Sequence, residues 1–250
     1  MQRELLPLFS TIAAVALLMT AAQAQSVPIP QAKPGAVGEA MEPEAARPIP
    51  PAEPGPIGRQ KAPEEPSTCL HGLKAIGVVA TAAPGIAGSG ECPIEEAVSV
   101  EAVDTRAGRV ALPARPLLAC RFATVLGAWL SEVVSPVAAS LVGSPIATIA
   151  TGPGHQCRSR AGGRLSEHAI GNALDISSIR LVDGRSILIE TLPTAKQGER
   201  AFLRAISASA CGYFTTVLGP GSDADHSDHL HVDLAQRRTA EYRICMAPGP

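Results

Sequence analysis

The sequence predicts an α+β domain in which a helical layer covers an antiparallel sheet. Three observations lead to this fold class. Short β-branched and apolar segments bounded by turn residues recur along the chain, a long apolar segment of helical character lies among them, and a second helical segment follows late in the sequence. About 180 residues carry this pattern, which is enough for one hydrophobic core.

The first half of the domain contains two predicted strands and the long helix. Residues 98–103 and 110–112 fit short strands separated by a turn-like sequence. Residues 117–143 are apolar and helical in character, and we predict a break or kink at Pro136, because proline removes a backbone donor. Trp129, in this helix, is predicted to be a core residue.

The second half supplies the remaining predicted elements. Here the apolar runs are shorter and turn residues separate them. The elements are a strand at 146–150, a hairpin of 176–181 with 186–190, a helix at 199–210, and strands at 213–218 and 230–234.

The N-terminus, MQRELLPLFSTIAAVALLMTAAQAQ, has the pattern of a secretory signal peptide, with a short apolar run before an A-x-A cleavage site at residues 22–24. The alternative is an uncleaved membrane anchor, but the run is short for a bilayer span and contains Pro7. We therefore expect residues 1–24 to be removed on export to the periplasm or the outside of the cell. No later segment has about 18 uninterrupted apolar residues, so no transmembrane segment is expected after cleavage.

Residues 25–68 are rich in Pro, Glu, Ala and Gly, with PIPPAEPGPIG at their centre and no apolar periodicity. This composition predicts a semi-extended, disordered linker, with a polyproline II ligand for some partner as the alternative. The folded domain is then expected to span residues 69–250. The formal net charge of −2 gives no electrostatic reason to expect a nucleic-acid partner.

Six cysteines lie in the predicted domain, and none forms a C-x-x-C pair. In an exported protein this even number predicts three structural disulfides rather than a thiolate zinc site. Their connectivity stays open, because six cysteines allow fifteen pairings. The candidates are Cys69, Cys92, Cys120, Cys157, Cys211 and Cys245.

The first candidate functional segment is SEHAIGNALD, residues 166–175, which separates His168 from Asp175 by seven positions. On one helix these side chains would lie roughly 10 Å apart, and on one strand they would point to opposite faces. A bend at Gly171 could bring them together, with residues 173–176 then entering a strand that carries Asp175 inward.

The second candidate segment is DHSDHLHVDL, residues 225–234. On a strand, His229, His231 and Asp233 would share one face, while the leucine and valine residues between them would share the other. Two histidines and one carboxylate are a common ligand set for catalytic Zn²⁺, which keeps a fourth position for water. The two segments together therefore indicate a zinc site.

SEHAIGNALD resembles the S-x-H-x-x-G-x-A-x-D motif of the LAS-type zinc peptidases, and HLH matches the H-x-H of that group. The group includes D-Ala-D-Ala carboxypeptidases and dipeptidases, lysostaphin-like endopeptidases and the metal domain of hedgehog proteins. The pair of motifs, about fifty residues apart, also resembles the bacterial extensin-like C-terminal domain family, which combines SEHxxGNAxD with HxDHxHxDL. That family also has scattered cysteines, an apolar central helix and a proline-rich leader. The resemblance covers roughly residues 69–245.

The resemblance implies a disulfide-stabilised zinc domain like those of hedgehog proteins and D-Ala-D-Ala peptidases. It implies that His168, Asp175 and His231 bind one Zn²⁺ per chain. His229, the first histidine of H-x-H, would lie beside the metal and orient substrate or stabilise the developing oxyanion.

The resemblance also suggests a general base and a substrate anchor. Asp228 occupies the position where some members carry a glutamate base, and Asp225 and Glu167 remain alternatives. Arg158 resembles the arginine that binds a substrate carboxylate in related peptidases.

The other histidines and Asp233 lie outside the predicted ligand set. His71, His155 and His226 are expected to be surface residues or supports for the metal ligands. Asp233 is expected either to orient a histidine on its own strand face or to be a solvated carboxylate.

Taken together, the sequence and the resemblance predict an exported, monomeric zinc peptidase that acts on peptidoglycan or other cell-wall peptides. One alternative is a zinc-containing wall-binding module that has lost catalysis. Another is a disulfide-stabilised domain without metal.

Overall fold

The computed structural model describes residues 68–83, 92–94, 96–160, 163–239 and 242–246. These residues all belong to one compact unit, Arg59–Pro250. The predicted signal peptide and the linker up to residue 67 lie outside the described residues.

The part of the chain that the structure describes forms four α-helices and ten strands, joined by turns and short 3₁₀ segments. The helices are α1 (Thr68–Ala75), α2 (Cys120–Trp129), α3 (Ser135–Leu141) and α4 (Gln197–Tyr213). The strands are β1 (Val78–Ala82), β2 (Ala97–Thr105), β3 (Gly108–Ala111), β4 (Leu117–Ala119), β5 (Ile146–Thr151), β6 (Ala173–Leu181), β7 (Ser186–Leu188), β8 (Thr216–Leu218), β9 (Leu230–Asp233) and β10 (Ile244–Met246).

The strands form one mixed sheet in the order β1-β2-β3-β5-β6-β9-β8-β10, with β4 paired to β2 and β7 paired to β6. The α+β class is confirmed, but the prediction of a purely antiparallel sheet is wrong, because β3 pairs with β5 and β8 with β10 in parallel. The chain passes through α2 and α3 between β3 and β5, and a crossover of this length lets a strand return in the same direction. Strand β10 runs antiparallel to β9 but joins the far edge of β8, so that pair is also parallel.

The predicted elements are found with shifted ends, and four others were not predicted. The predicted hairpin is formed by β6 and β7. The long predicted helix begins at Cys120 instead of residue 117, because residues 117–119 pair with β2 as strand β4. The four unpredicted elements, α1, β1, β4 and β10, are short or lie at the ends of the domain.

Helices α2 and α3 form one continuous segment that packs on the sheet. Trp129 is 1% exposed, which confirms it as a core residue, and its Nε1 donates to Ser209 Oγ in α4 at 3.0 Å. A five-residue π-helix, Leu130–Val134, precedes the predicted kink at Pro136. The missing N–H of that proline accounts for a local break in the α-helical hydrogen bonding.

Among the described residues, one helical segment, Cys120–Leu141, is long and apolar enough to cross a membrane by length and composition alone. Half of its most apolar window is buried inside the domain. Phe122, Leu126 and Leu130 are each at most 1% exposed in the core. A buried core helix has the same composition as a membrane span, and here the apolar side chains cover the sheet.

Three disulfides join Cys69 to Cys120, Cys92 to Cys157, and Cys211 to Cys245, and they confirm the predicted number. They close loops of 51, 65 and 34 residues. In the chain-entropy model each closure of this size destabilises the unfolded state by about 4 kcal/mol. The second disulfide anchors the 152–166 loop, which contributes to the candidate site described next.

Candidate metal centre

Strands β6 and β9 hold two of the predicted ligands on adjacent positions of the sheet. They pair antiparallel, with Asp175 opposite His231 and Ala173 opposite Asp233. Leu174 and Val232, one position along, lie in the hydrophobic core. Because side chains alternate along a strand, the polar residues lie on the sheet face opposite the core.

The segment before β6 brings His168 to the same place. Residues Glu167–Ile170 form a 3₁₀ helix whose first turn is capped by Ser166, and Gly171 ends it in the left-handed conformation with φ 65°. A Cβ added at Gly171 would lie 2.8 Å from the backbone nitrogen of Ala119, so glycine is also required by the available space. The bend predicted at this glycine is therefore confirmed.

The three side chains form one compact cluster. One ligand atom from each of His168, Asp175 and His231 lies within 4.8 Å of the other two. Nε2 of His168 is 3.3 Å from Asp175 Oδ2 and 3.3 Å from His231 Nδ1, which in turn is 2.8 Å from Asp175 Oδ1. The histidines are almost fully buried, whereas the Asp175 side chain is 23% exposed, so the cluster is open to solvent beside this carboxylate.

Each histidine is oriented by a hydrogen bond on the side away from the cluster. The Nδ1 of His168 lies 2.7 Å from the carbonyl oxygen of Gly154, and the Nε2 of His231 lies 3.2 Å from Asp233 Oδ2. These acceptors favour a proton on the outer nitrogen and leave His168 Nε2 and His231 Nδ1 to coordinate. Two oriented imidazoles and one carboxylate match the ligand types and supporting contacts of a zinc site.

When no metal is bound, hydrogen bonds within the cluster shift the pKa values of Asp175 and His231. Burial alone would raise the pKa of Asp175, but hydrogen bonds with His168 and His231 hold it far below its usual range. Burial alone would lower the pKa of His231, but hydrogen bonds with Asp175 and Asp233 raise it to about 9. In the metal-free protein at neutral pH, His231 is thus a cation between two carboxylates.

A comparison with protein-family models matches residues 67–246 to the extensin-like protein C-terminus. The chain belongs to this family. A search of curated proteins and a search of solved structures each found no match. The match confirms the resemblance to the extensin-like family that the two sequence motifs predict, while the relation to zinc peptidases stays a prediction.

Two further histidines of the extensin-like domain lie beside the cluster. His229 Nε2 is 3.6 Å from Asp175 Oδ1, and its Nδ1 is 2.8 Å from Asp228 Oδ1. His226 Nδ1 is 2.6 Å from Asp223 Oδ1, and its ring centroid lies 5.2 Å from that of His229 and 5.5 Å from that of His231. Each imidazole is thus held at Nδ1 by a carboxylate.

The hydrogen bonds also shift the two carboxylates that hold these rings. Hydrogen bonding to His229 lowers the pKa of Asp228, and hydrogen bonding to His226 lowers the pKa of Asp223. Both carboxylates are therefore ionised at neutral pH. The Asp228 side chain is 70% exposed, and within the described residues its contact with the cluster runs through His229.

Other predicted site residues lie apart from the cluster. Arg158 is exposed, and the contact described for it is a backbone one to Ser166. Asp225 is exposed. Glu167 accepts a hydrogen bond from Asn172 at 2.7 Å and lines a cavity of about 900 Å³ that none of the three cluster residues lines.

Two contributors to the extensin-like site were not predicted from the sequence. Gly154 acts through its carbonyl oxygen, and Arg160 reaches the buried Asp233 from the 152–166 loop with Nη2 3.3 Å from Oδ2. No sequence motif indicates either contact. His226, expected to be a surface residue or a support for the metal ligands, occupies the first position of HxDHxHxDL, and its ring lies against those of His229 and His231.

Proposed function

We propose that this extensin-like domain is an exported zinc hydrolase that cleaves peptide bonds in peptidoglycan or related cell-wall peptides. One observation carries the proposal: ligand atoms of His168, Asp175 and His231 lie within 4.8 Å of one another. Their types and their supporting hydrogen bonds suit zinc better than a hard cation, which would prefer oxygen ligands.

His168 Nε2, the Asp175 carboxylate and His231 Nδ1 would hold the ion. When bound in such a site, zinc polarises a peptide carbonyl and lowers the pKa of water toward about 7. The partial exposure of Asp175 supports access of a substrate carbonyl from that side. His168 and His231 are only 1% and 6% exposed.

His229 and Asp228 are proposed to act as a pair in proton transfer and oxyanion stabilisation. Asp228 holds His229 at Nδ1, so Nε2 is left on the side of Asp175, at 3.6 Å from its Oδ1. A histidine held in this way can accept a proton at Nε2 or, once protonated, donate a hydrogen bond to a developing oxyanion. Asp228 would then be a positioning residue rather than the base suggested by the resemblance.

His226 is a second candidate for the proton acceptor. Asp223 holds its Nδ1 at 2.6 Å, and its ring packs against those of His229 and His231. Its Nε2 is available for a proton from water, because the only hydrogen-bond partner described for the ring is Asp223. Comparison of the two alanine variants separates these roles.

Two observations support export and a wall substrate. Three disulfides among the described residues suit an oxidising compartment, in agreement with the signal-peptide pattern at residues 1–24. The motif resemblance to D-Ala-D-Ala peptidases suggests peptides of the cell wall as the substrate class.

The proposal is tested by metal analysis and digestion of purified peptidoglycan by the same signal-cleaved protein. We expect about one zinc per chain and release of peptide fragments that chelator abolishes. The variant that removes the base, either His229→Ala or His226→Ala, should lower the rate of peptide release by about 100-fold or more. Zinc should remain bound in both variants. His71→Ala, an exposed histidine of α1, is the matched control and should leave the rate unchanged.

Two results would count against a zinc hydrolase. Absence of stoichiometric zinc would exclude the mechanism altogether. Zinc binding with attachment to the wall but no cleavage would instead favour a binding module that has lost catalysis.

A further inference from the structure

We infer that Arg160 and Asp233 act together as a positioning pair that selects which nitrogen of His231 faces the metal. This inference rests on the proposed zinc site. It assigns functions to two residues that touch neither the ion nor the substrate. We call Arg160 and Asp233 the Arg160–Asp233 pair.

Asp233 is a buried carboxylate whose surroundings keep it ionised. Its side chain is 0% exposed. Oδ1 accepts from the backbone nitrogen of Ala235 at 3.0 Å, and Oδ2 lies 3.3 Å from Arg160 Nη2. Arg237 Nη2 is a further cation at 4.0 Å from Oδ1. A buried carboxylate is costly unless it is paired and hydrogen-bonded, and this one is both.

An ionised carboxylate fixes the hydrogen on the ring nitrogen that faces it. Asp233 Oδ2 is 3.2 Å from Nε2 of His231, and an ionised carboxylate can only accept hydrogen bonds. Nε2 must therefore carry a hydrogen. Nδ1, 2.8 Å from Asp175 Oδ1, carries the second hydrogen of the metal-free cation, and loss of that hydrogen leaves the lone pair at Nδ1 for an ion. Without the carboxylate, the neutral ring could equally carry its hydrogen at Nδ1 and coordinate poorly.

Arg160 is held in place by the loop that also orients the other histidine. Its backbone nitrogen donates to the carbonyl oxygen of Arg164 at 2.7 Å, and an isolated bridge joins Ser159 to Leu165. The same 152–166 loop supplies the Gly154 carbonyl that accepts from His168. One loop thus orients both ligand histidines, directly for His168 and through Asp233 for His231.

The chain offers a matched control for Arg160. Arg158 lies two residues earlier in the same loop, is likewise exposed, and is described in contact with Ser166 through its backbone oxygen only. Substitution of either arginine by glutamine removes one positive charge from the same loop. A difference between the two variants therefore reports the contact with Asp233.

The experiment measures zinc affinity by competition with a chromogenic chelator in the full signal-cleaved protein. Asp233→Asn keeps the shape but lets the amide donate as well as accept, and we expect zinc affinity to fall by about 10- to 100-fold. Arg160→Gln should lower zinc affinity by only about two- to fivefold, because this guanidinium is 42% exposed. Arg160→Lys should recover part of that loss, and Arg158→Gln should match the wild type.

A spectroscopic measurement distinguishes positioning from a purely structural role. Two-bond proton–nitrogen correlation of histidine-labelled, zinc-loaded protein should show His231 protonated at Nε2, and Asp233→Asn should lose this single form. Thermal melting of the metal-free variants checks that they fold. If Asp233→Asn does not fold, Arg160→Gln still tests the inference, because the Arg160 side chain is partly exposed and its loss leaves no buried group unpaired.

The outcomes separate the inference from the proposed function. Zinc binding by the wild type with unchanged affinity and unchanged His231 tautomer in both Asp233→Asn and Arg160→Gln would overturn the inference alone. A wild-type protein that binds no zinc would overturn both. Loss of affinity in Arg158→Gln equal to that in Arg160→Gln would also overturn it, because loop charge rather than the contact would then be responsible.

Discussion

Asp175 on β6 lies directly opposite His231 on β9, and its Oδ1 is 2.8 Å from His231 Nδ1. This pair joins the two sequence motifs across the sheet. His168 completes the cluster from a 3₁₀ helix that ends at a left-handed glycine.

Removal of the metal should make the stability of the protein depend on pH through His231. The pKa of His231 is raised from 6.5 to about 9 in the folded, metal-free protein. The protonated His231 stabilises the folded state; this effect is complete below pH 6.5 and is lost as the pH rises through 9. The free energy of unfolding should therefore fall by about 3 kcal/mol between these values. Urea unfolding at pH 6 and pH 10 in the presence of chelator measures the difference.

The control for this pH dependence is His231→Gln, which should remove most of the difference between the two pH values. His71→Ala should keep it. An unfolding free energy that is equal at the two pH values in the wild type would show that His231 does not carry the charge described here.

Gly171→Ala should both destabilise the fold and weaken metal binding. Alanine at φ 65° is strained, and its Cβ would lie 2.8 Å from the Ala119 nitrogen, so the segment that carries His168 must move. We expect a loss of about 2 kcal/mol or more in chemical unfolding together with weaker zinc binding.

Gly184→Ala provides the comparison for this prediction. Gly184 also has a positive φ, of 90°, but nothing lies within 4 Å of an added Cβ. It should therefore lose some stability while its zinc affinity stays at the wild-type value. Equal zinc affinity in both variants would contradict the proposed importance of the bend.

Breaking the Cys92–Cys157 disulfide should weaken zinc binding more than breaking Cys211–Cys245. Cys157 anchors the 152–166 loop, which carries the Gly154 carbonyl and Arg160, whereas the other disulfide ties α4 to β10. Each double serine variant should lose up to about 4 kcal/mol of stability. Zinc affinity, measured where both variants are folded, should fall only for the first, and an equal fall in both would refute a specific role for the loop.

The fold was predictable from sequence where the hydrophobic pattern is local. The α+β class, Trp129 in the core and the β6–β7 hairpin follow from periodicity and turn residues. The parallel pairing of β3 with β5 depends on how the chain returns through α2 and α3, which no local pattern records. Helix α1 has only eight residues, and its pattern is too short to be distinguished from the linker before it.

In the candidate site, too, local features were predictable from the sequence and contacts between distant residues were not. The bend at Gly171 follows from the spacing of His168 and Asp175, because neither a helix nor a strand joins them. The contact of Arg160 with Asp233 spans 73 positions and depends on a loop held by a disulfide, so residue order alone does not indicate it. The resemblance gives a different role, binding of a substrate carboxylate, to Arg158, two positions earlier.

The central claim, that His168, Asp175 and His231 form a metal site, is tested most directly by a crystal structure of the zinc-loaded protein with data collected at the zinc absorption edge. The account predicts one anomalous peak per chain, bonded to Nε2 of His168, to the carboxylate of Asp175 and to Nδ1 of His231. An absence of density at this cluster, with zinc offered in excess, would contradict the account. Coordination of the ion through Nε2 of His231 would contradict the orientation assigned to that ring.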